Sequence, residues 1–123
     1  MKVAVVGSRT INTIPLETFL PPETNELVSG GAKGVDTYVR FFAQQKGVKL
    51  TEFFPDYSRY GRAAPLLRNR QIVDYADAVL AFWDGSSRGT KYVISQCQKK
   101  HIPICVYMPE DTSSETIKEH FNM

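Results

Sequence analysis

The chain has few cysteines, no long apolar run and almost no net charge, and each shortage removes a class of protein. Its two cysteines, Cys97 and Cys105, form no CxxC and have no histidine at ligand spacing. They read as buried free thiols rather than as a disulfide frame or a metal site. His101 and His120 lack acidic or cysteine partners at metal spacing, so no metal is expected. No stretch approaches the roughly 20 apolar residues that span a bilayer. The opening Met1-Lys2-Val3-Ala4-Val5-Val6-Gly7 is too short for a signal-peptide core, which makes the cytoplasm the expected compartment. A net charge of +2 is too small to point to nucleic acid by itself. Two phosphate-binding fingerprints are missing as well. There is no GxGxxG, and GxxxxGK[ST] fails because Gly85 to Gly89 is one residue short and Lys91 follows Thr90.

What is present fits one α/β domain over residues 1–123, with a core at about 2–107. Apolar runs at Lys2 to Val6, Glu26 to Ser29, Val48 to Phe54, Ala78 to Trp83 and Pro103 to Tyr107 read as five strands. Between them, helices are expected at Pro15 to Leu20, Gly34 to Lys46, Ala64 to Tyr75 and Arg88 to Lys100, and a short terminal helix at about 113–121. The polar, Tyr/Arg-rich stretch Asp56 to Ala63 reads as a loop. Alternating strands and helices predict right-handed crossovers, a five-stranded parallel sheet in the order 3-2-1-4-5, and three α/β/α layers. The switch point of such a sheet lies between the first and fourth strands.

Two glycine-rich turns stand where a strand gives way to a helix, a place that offers free backbone N–H groups and a helix dipole to an anion. The first is Ser29-Gly30-Gly31-Ala32-Lys33-Gly34-Val35-Asp36 and the second Asp84-Gly85-Ser86-Ser87-Arg88-Gly89-Thr90. Gly30, Gly31 and Gly34 are expected to let a ligand approach the backbone closely. Asp36 suits either the helix dipole or a ribose hydroxyl. Around the second turn gather amides, the Ser87 and Thr90 hydroxyls and the Arg88 guanidinium. The predicted topology brings Gly7-Ser8-Arg9 to the same crevice as Trp83-Asp84-Gly85. Most arginines lie near this edge, Arg9, Arg68 and Arg88 among them, and arginine suits bidentate phosphate recognition. Arg68 and Asn69 sit on the third helix, and Tyr57, Tyr60 and Trp83 supply flat rings for a base or for packing.

In their order and spacing these residues resemble the SLOG superfamily, named for Smf/DprA and the LOG cytokinin-activating proteins, and within it the YspA/YpsA-related branch. The pattern runs Gly7-Ser8-Arg9, Ser29 to Asp36, Pro55 with Tyr60-Gly61 and Ala64, Arg68-Asn69, then Phe82 to Thr90. The resemblance implies a Rossmann-like sheet that binds nucleotides or nucleotide-derived ligands, frequently as a homo-oligomer. The enzymatic LOG branch carries PGGxGTxxE. This chain keeps Gly89-Thr90 but has Val93 where the glutamate would fall, which argues against phosphoribohydrolase chemistry.

The expected function is therefore binding of a nucleotide or nucleotide-derived small molecule, ADP-ribose-like compounds included, as a sensor or sequestering module without a certain cofactor. The ligand-binding set comprises Gly7, Ser8, Arg9, Gly30, Gly31, Lys33, Gly34, Asp36, Tyr60, Arg68, Asn69, Trp83, Asp84, Gly85, Ser87, Arg88, Gly89 and Thr90. Asp84 and Asp36 are the candidates if the chain instead hydrolyses N-glycosidic or phosphoester bonds. A third reading is single-stranded DNA binding along the Arg-rich edge, which the modest net charge disfavours.

Overall fold

The computed structural model describes residues 1–11, 14–109 and 117–122, the last strand by its backbone. Strand β1 (Lys2–Gly7) lies at the centre of a sheet whose order is β3-β2-β1-β4-β5-β6. Strands β2 (Glu26–Ser29), β3 (Lys49–Glu52), β4 (Ala78–Phe82) and β5 (Ile104–Pro109) run parallel to β1 in the expected 3-2-1-4-5 order. The fold is thus the expected Rossmann-like α/β arrangement.

Alternation along β1 explains the layers, since successive side chains point to opposite faces. Val3 and Val5, with Leu27, Leu80 and Phe82, pack against Leu16 of α1 (Leu16–Phe19) and Val35, Val39 and Phe42 of α2 (Val35–Lys46). Ala4 and Val6, with Val28, Val79 and Ala81, pack against Ile72 and Val73 of α4 (Ala64–Tyr75) and Val93 and Cys97 of α5 (Arg88–Lys100). Both faces are apolar, so the strand reads as a continuous hydrophobic run. Burial pushes the Cys97 thiol up to about 12, which makes it a packing residue. No helix among the described residues is long and apolar enough to cross a membrane.

Two local expectations are corrected. The terminal helix over 113–121 is instead, in its described part, strand β6 (Ile117–Asn122), paired antiparallel to β5 with Cys105 opposite Phe121. Residues 113–116 of that expectation lie outside the described residues. Ile117 and Phe121 are four apart, a spacing that fits one face of a helix and equally one face of a strand. The unpaired edge of β5 decides for the strand, because its backbone groups need partners. The loop Asp56 to Ala63 contains helix α3 (Tyr57–Tyr60) and a 3₁₀ turn, Gly61–Ala63. Asp56 caps this segment, accepting from the Arg59 amide at 3.2 Å and the Ser58 hydroxyl at 2.7 Å.

Candidate functional site

The carboxyl ends of β1 and β4 meet at the switch point, with Gly7 opposite Phe82. The Ser8 amide donates to the Phe82 carbonyl at 3.0 Å, and the Asp84 amide donates to Ser8 Oγ at 3.0 Å. Ser8 is buried and so ties the two strand ends together; it lies outside the cleft described below. Asp84 organises the second glycine turn. Its Oδ1 accepts from the amides of Ser86 and Ser87, each at 2.9 Å, and its Oδ2 accepts from the Thr10 hydroxyl at 2.9 Å. These donors, led by the Ser86 and Ser87 amides, hold the carboxyl well below the usual carboxylate range. Asp84 is therefore a poor proton carrier at neutral pH and a strong loop organiser.

The same turn starts α5. Ser87 is its N-cap, with Oγ accepting from the Thr90 amide at 3.4 Å, and its carbonyl accepts from the Trp83 indole at 3.0 Å. That bond and its packing on the α4/α5 core make Trp83 a support for the turn rather than a platform for a base. The Gly89 amide, unpaired among the described residues, stands in the cleft wall.

The first glycine turn is built differently. The space beside each glycine is filled by the protein itself. Arg68 lies over Gly30, where its Nη1 donates to the Gly30 carbonyl, and its Nε donates to Asn69 Oδ1 at 2.7 Å. The Phe54 ring lies over Gly31. At Gly34, with φ of 75°, a Cβ would come within 2.9 Å of the Arg9 carbonyl oxygen. At these three glycines the Cβ direction is occupied by Arg68, Phe54 and the Arg9 backbone, and of the three only Gly30 lines the cleft described below. Asp36 in the first turn of α2 is buried and accepts from the Ala32 amide at 3.0 Å. Burial raises its pKa; the Ala32 amide and the nearby Arg68 charge oppose that rise. Ser29 Oγ, fully buried, makes no well-formed hydrogen bond among the described residues, although it lies near enough to favour the Asp36 carboxylate slightly.

Between the two turns opens a cleft of about 400 Å³. Ten of the expected residues line it: Gly7, Arg9, Gly30, Asp36, Arg68, Asn69, Asp84, Ser87, Gly89 and Thr90. Arg68 is half-buried, and burial lowers its pKa; Asp36 counters that, whereas the positive charge of Arg9 adds to it. Arg9 and Arg68 thus bring two guanidinium groups to one cleft, with Asp36 beside them. Gly31, Lys33, Gly34, Gly85 and Arg88 lie outside the lining, Lys33 and Arg88 as exposed side chains, and Tyr60 belongs to a neighbouring cavity. The sequence reading missed the floor, formed by Val6, Ile72 and Val93, and the wall residues Thr10, Ala32 and Pro65. Thr10 follows Arg9 directly and was detectable by position; the floor residues are ordinary core types and carry no chemical signal. Val93 is buried in that floor.

No known family model matches the chain, and no solved structure matches it. It is similar to the Gene 61 protein of Mycobacterium phage D29, 36% identical over 84 residues that span 63% of this chain and 67% of the phage protein. On that similarity, the chain belongs to the same protein family as the Gene 61 protein of this phage.

Proposed function

We propose that this chain binds a nucleotide or nucleotide-derived small molecule, of which ADP-ribose-like compounds are one class, as a sensor or sequestering module with a SLOG-type site. The observation that carries the reading is the convergence of Arg9 and the half-buried Arg68 on one cleft that Gly89, its amide unpaired among the described residues, also lines. Two guanidinium groups on one cleft offer forked donors, and arginine matches phosphate geometry. Asn69 and Asp36 offer acceptors for ribose hydroxyls, and Val6, Ile72 and Val93 add an apolar surface. Calorimetry against AMP, ADP, ADP-ribose and ribose 5-phosphate tests it. At least one compound is expected to bind with a dissociation constant in the micromolar range, weakened about tenfold or more by Arg68→Met, since charge-assisted hydrogen bonds contribute roughly 1.5–3 kcal/mol. A folded protein that binds none of the four sinks the proposal.

One observation favours a second reading, hydrolysis of an N-glycosidic or phosphoester bond. Asp36 is a buried carboxyl with a raised pKa on the cleft wall, the environment that prepares a general acid. Base or sugar-phosphate release over hours, abolished in Asp36→Asn, is the expected result; no release by the wild type removes this reading.

A further inference from the structure

A second cavity of about 330 Å³ lies against the first, and Arg68 lines both. We infer that this second cavity receives the base of the nucleotide, stacked on the exposed ring of Phe54; the inference rests on the nucleotide-binding reading above. Three observations lead there.

The first concerns seating. Gly30 and Gly31 are consecutive, so their Cα atoms are about 3.8 Å apart. Arg68 lies over one and the Phe54 ring over the other. The glycine pair thus holds a cation and an aromatic ring side by side, the order in which a nucleotide presents its phosphate-bearing sugar and its base. The second observation is exposure. Phe54 remains 58% exposed although one side of its ring is packed on the Gly31 backbone. A large apolar ring seated on Gly31, lining a cavity and more than half exposed forgoes hydrophobic stabilisation that a stacked partner would restore.

The third observation separates Phe54 from the other rings that line this cavity: Phe53 packs edge-on against Tyr75, at 5.5 Å between centroids, and on the α4/α5 core. The Arg59 guanidinium sits 5.4 Å from the Tyr60 ring centroid and covers that ring. The two carboxylates of the cavity are already engaged, Glu52 with Arg40 at 2.9 Å and Asp56 with the Arg59 amide and the Ser58 hydroxyl. Glu52 is thus charge-matched by Arg40, and Asp56 is held as a helix cap by an amide and a hydroxyl. Gln71 adds an amide that can donate and accept at a base edge.

Calorimetry with AMP and with ribose 5-phosphate separates this inference from the reading beneath it. In the wild type AMP is expected to bind about tenfold or more tightly than ribose 5-phosphate, the effect of one base stacked on an aromatic ring. Phe54→Ala and Phe54→Leu should both bring AMP down to the ribose 5-phosphate level and leave ribose 5-phosphate unchanged. Leucine keeps an apolar cover on Gly31, so a loss shared by both variants reports the ring and not the fold. Equal binding of the two compounds by the wild type overturns the base cavity and leaves the sugar-phosphate site standing. So does an AMP affinity that neither variant changes, or an equal loss for both compounds. Failure of both compounds to bind overturns the two proposals together.

Discussion

At Gly30, Gly31 and Gly34 the space beside each glycine is taken by Arg68, Phe54 and the Arg9 backbone, whereas at Gly89 a Cβ would meet only Asn69 Nδ2, at 3.7 Å. The two turns share composition and their place between strand and helix, yet one is closed on itself and the other is open. Their carboxylates differ too. Asp84 in the second turn is saturated by amide and hydroxyl donors and held below the usual carboxylate range; Asp36 in the first is buried and pushed up. The first turn is a joint that positions Arg68 and Phe54. The second is a surface that keeps an amide available. Glycine content alone does not distinguish a scaffold from a binding loop; the neighbour that occupies the missing Cβ does.

Substitution at the closed turn should produce the largest effect. Gly34→Ala places a side chain at φ of 75° and against the Arg9 carbonyl, so a loss of about 2–4 kcal/mol is expected. Urea unfolding measures it as a lowered midpoint with an unchanged slope. A loss below about 0.5 kcal/mol, the range of ordinary surface changes, would erase the contrast between the turns.

Asp84→Ala should act more mildly, because the open turn depends on hydrogen bonds rather than on close packing. Removing the acceptor of the Ser86 and Ser87 amides is expected to destabilise by about 1 kcal/mol, comparable to losing a helix cap. The effect has a pH signature. The folded-state pKa of Asp84 lies below its ordinary value of 3.8, so its contribution is fully present above about that pH and is lost as the pH falls through the lower folded value. Thermal midpoints of the wild type and the variant should therefore converge in acid and separate towards neutrality. Parallel curves at every pH would mean that the carboxylate does not organise the turn.

Much of this architecture is legible in the sequence because the inner parallel strands are buried on both faces and write themselves as apolar runs stopped by glycine, proline or aspartate, whereas the edge strand β3 is partly exposed. That sufficed for the strand order and for the meeting of Ser8 with Asp84. Strand β6 was not legible, since Ile117 and Phe121 satisfy two periodicities at once. Helix α3 was not either, because it depends on one capping residue, Asp56, in a stretch that is otherwise polar. At the site, Arg9, Arg68, Asn69 and Asp36 stood out by chemical type and do line the cleft. The seating of Arg68 on Gly30 spans 38 residues of sequence, and no local pattern records it. Nor could local pattern show that Trp83 turns its indole to Ser87 or that Lys33 stays outside.

The smallest expected effect on the fold is also the one of opposite sign. Gly89 is the second residue of α5 and has no positive φ, and an added methyl meets nothing closer than 3.7 Å. Alanine is the better helix former and narrows the unfolded ensemble, so Gly89→Ala should stabilise the protein by up to roughly 1 kcal/mol. The methyl would nevertheless stand in the cleft wall beside the unpaired amide, where it obstructs an approaching phosphate. Nucleotide affinity is then expected to fall by about tenfold, the usual penalty for one superfluous carbon in a fitted site. A raised unfolding midpoint together with weakened binding, measured on the same sample, separates the open turn from the closed one more sharply than either loss alone. If affinity is retained, the ligand does not use the Gly89 amide, and the anion must be held by Arg9 and Arg68 without the helix.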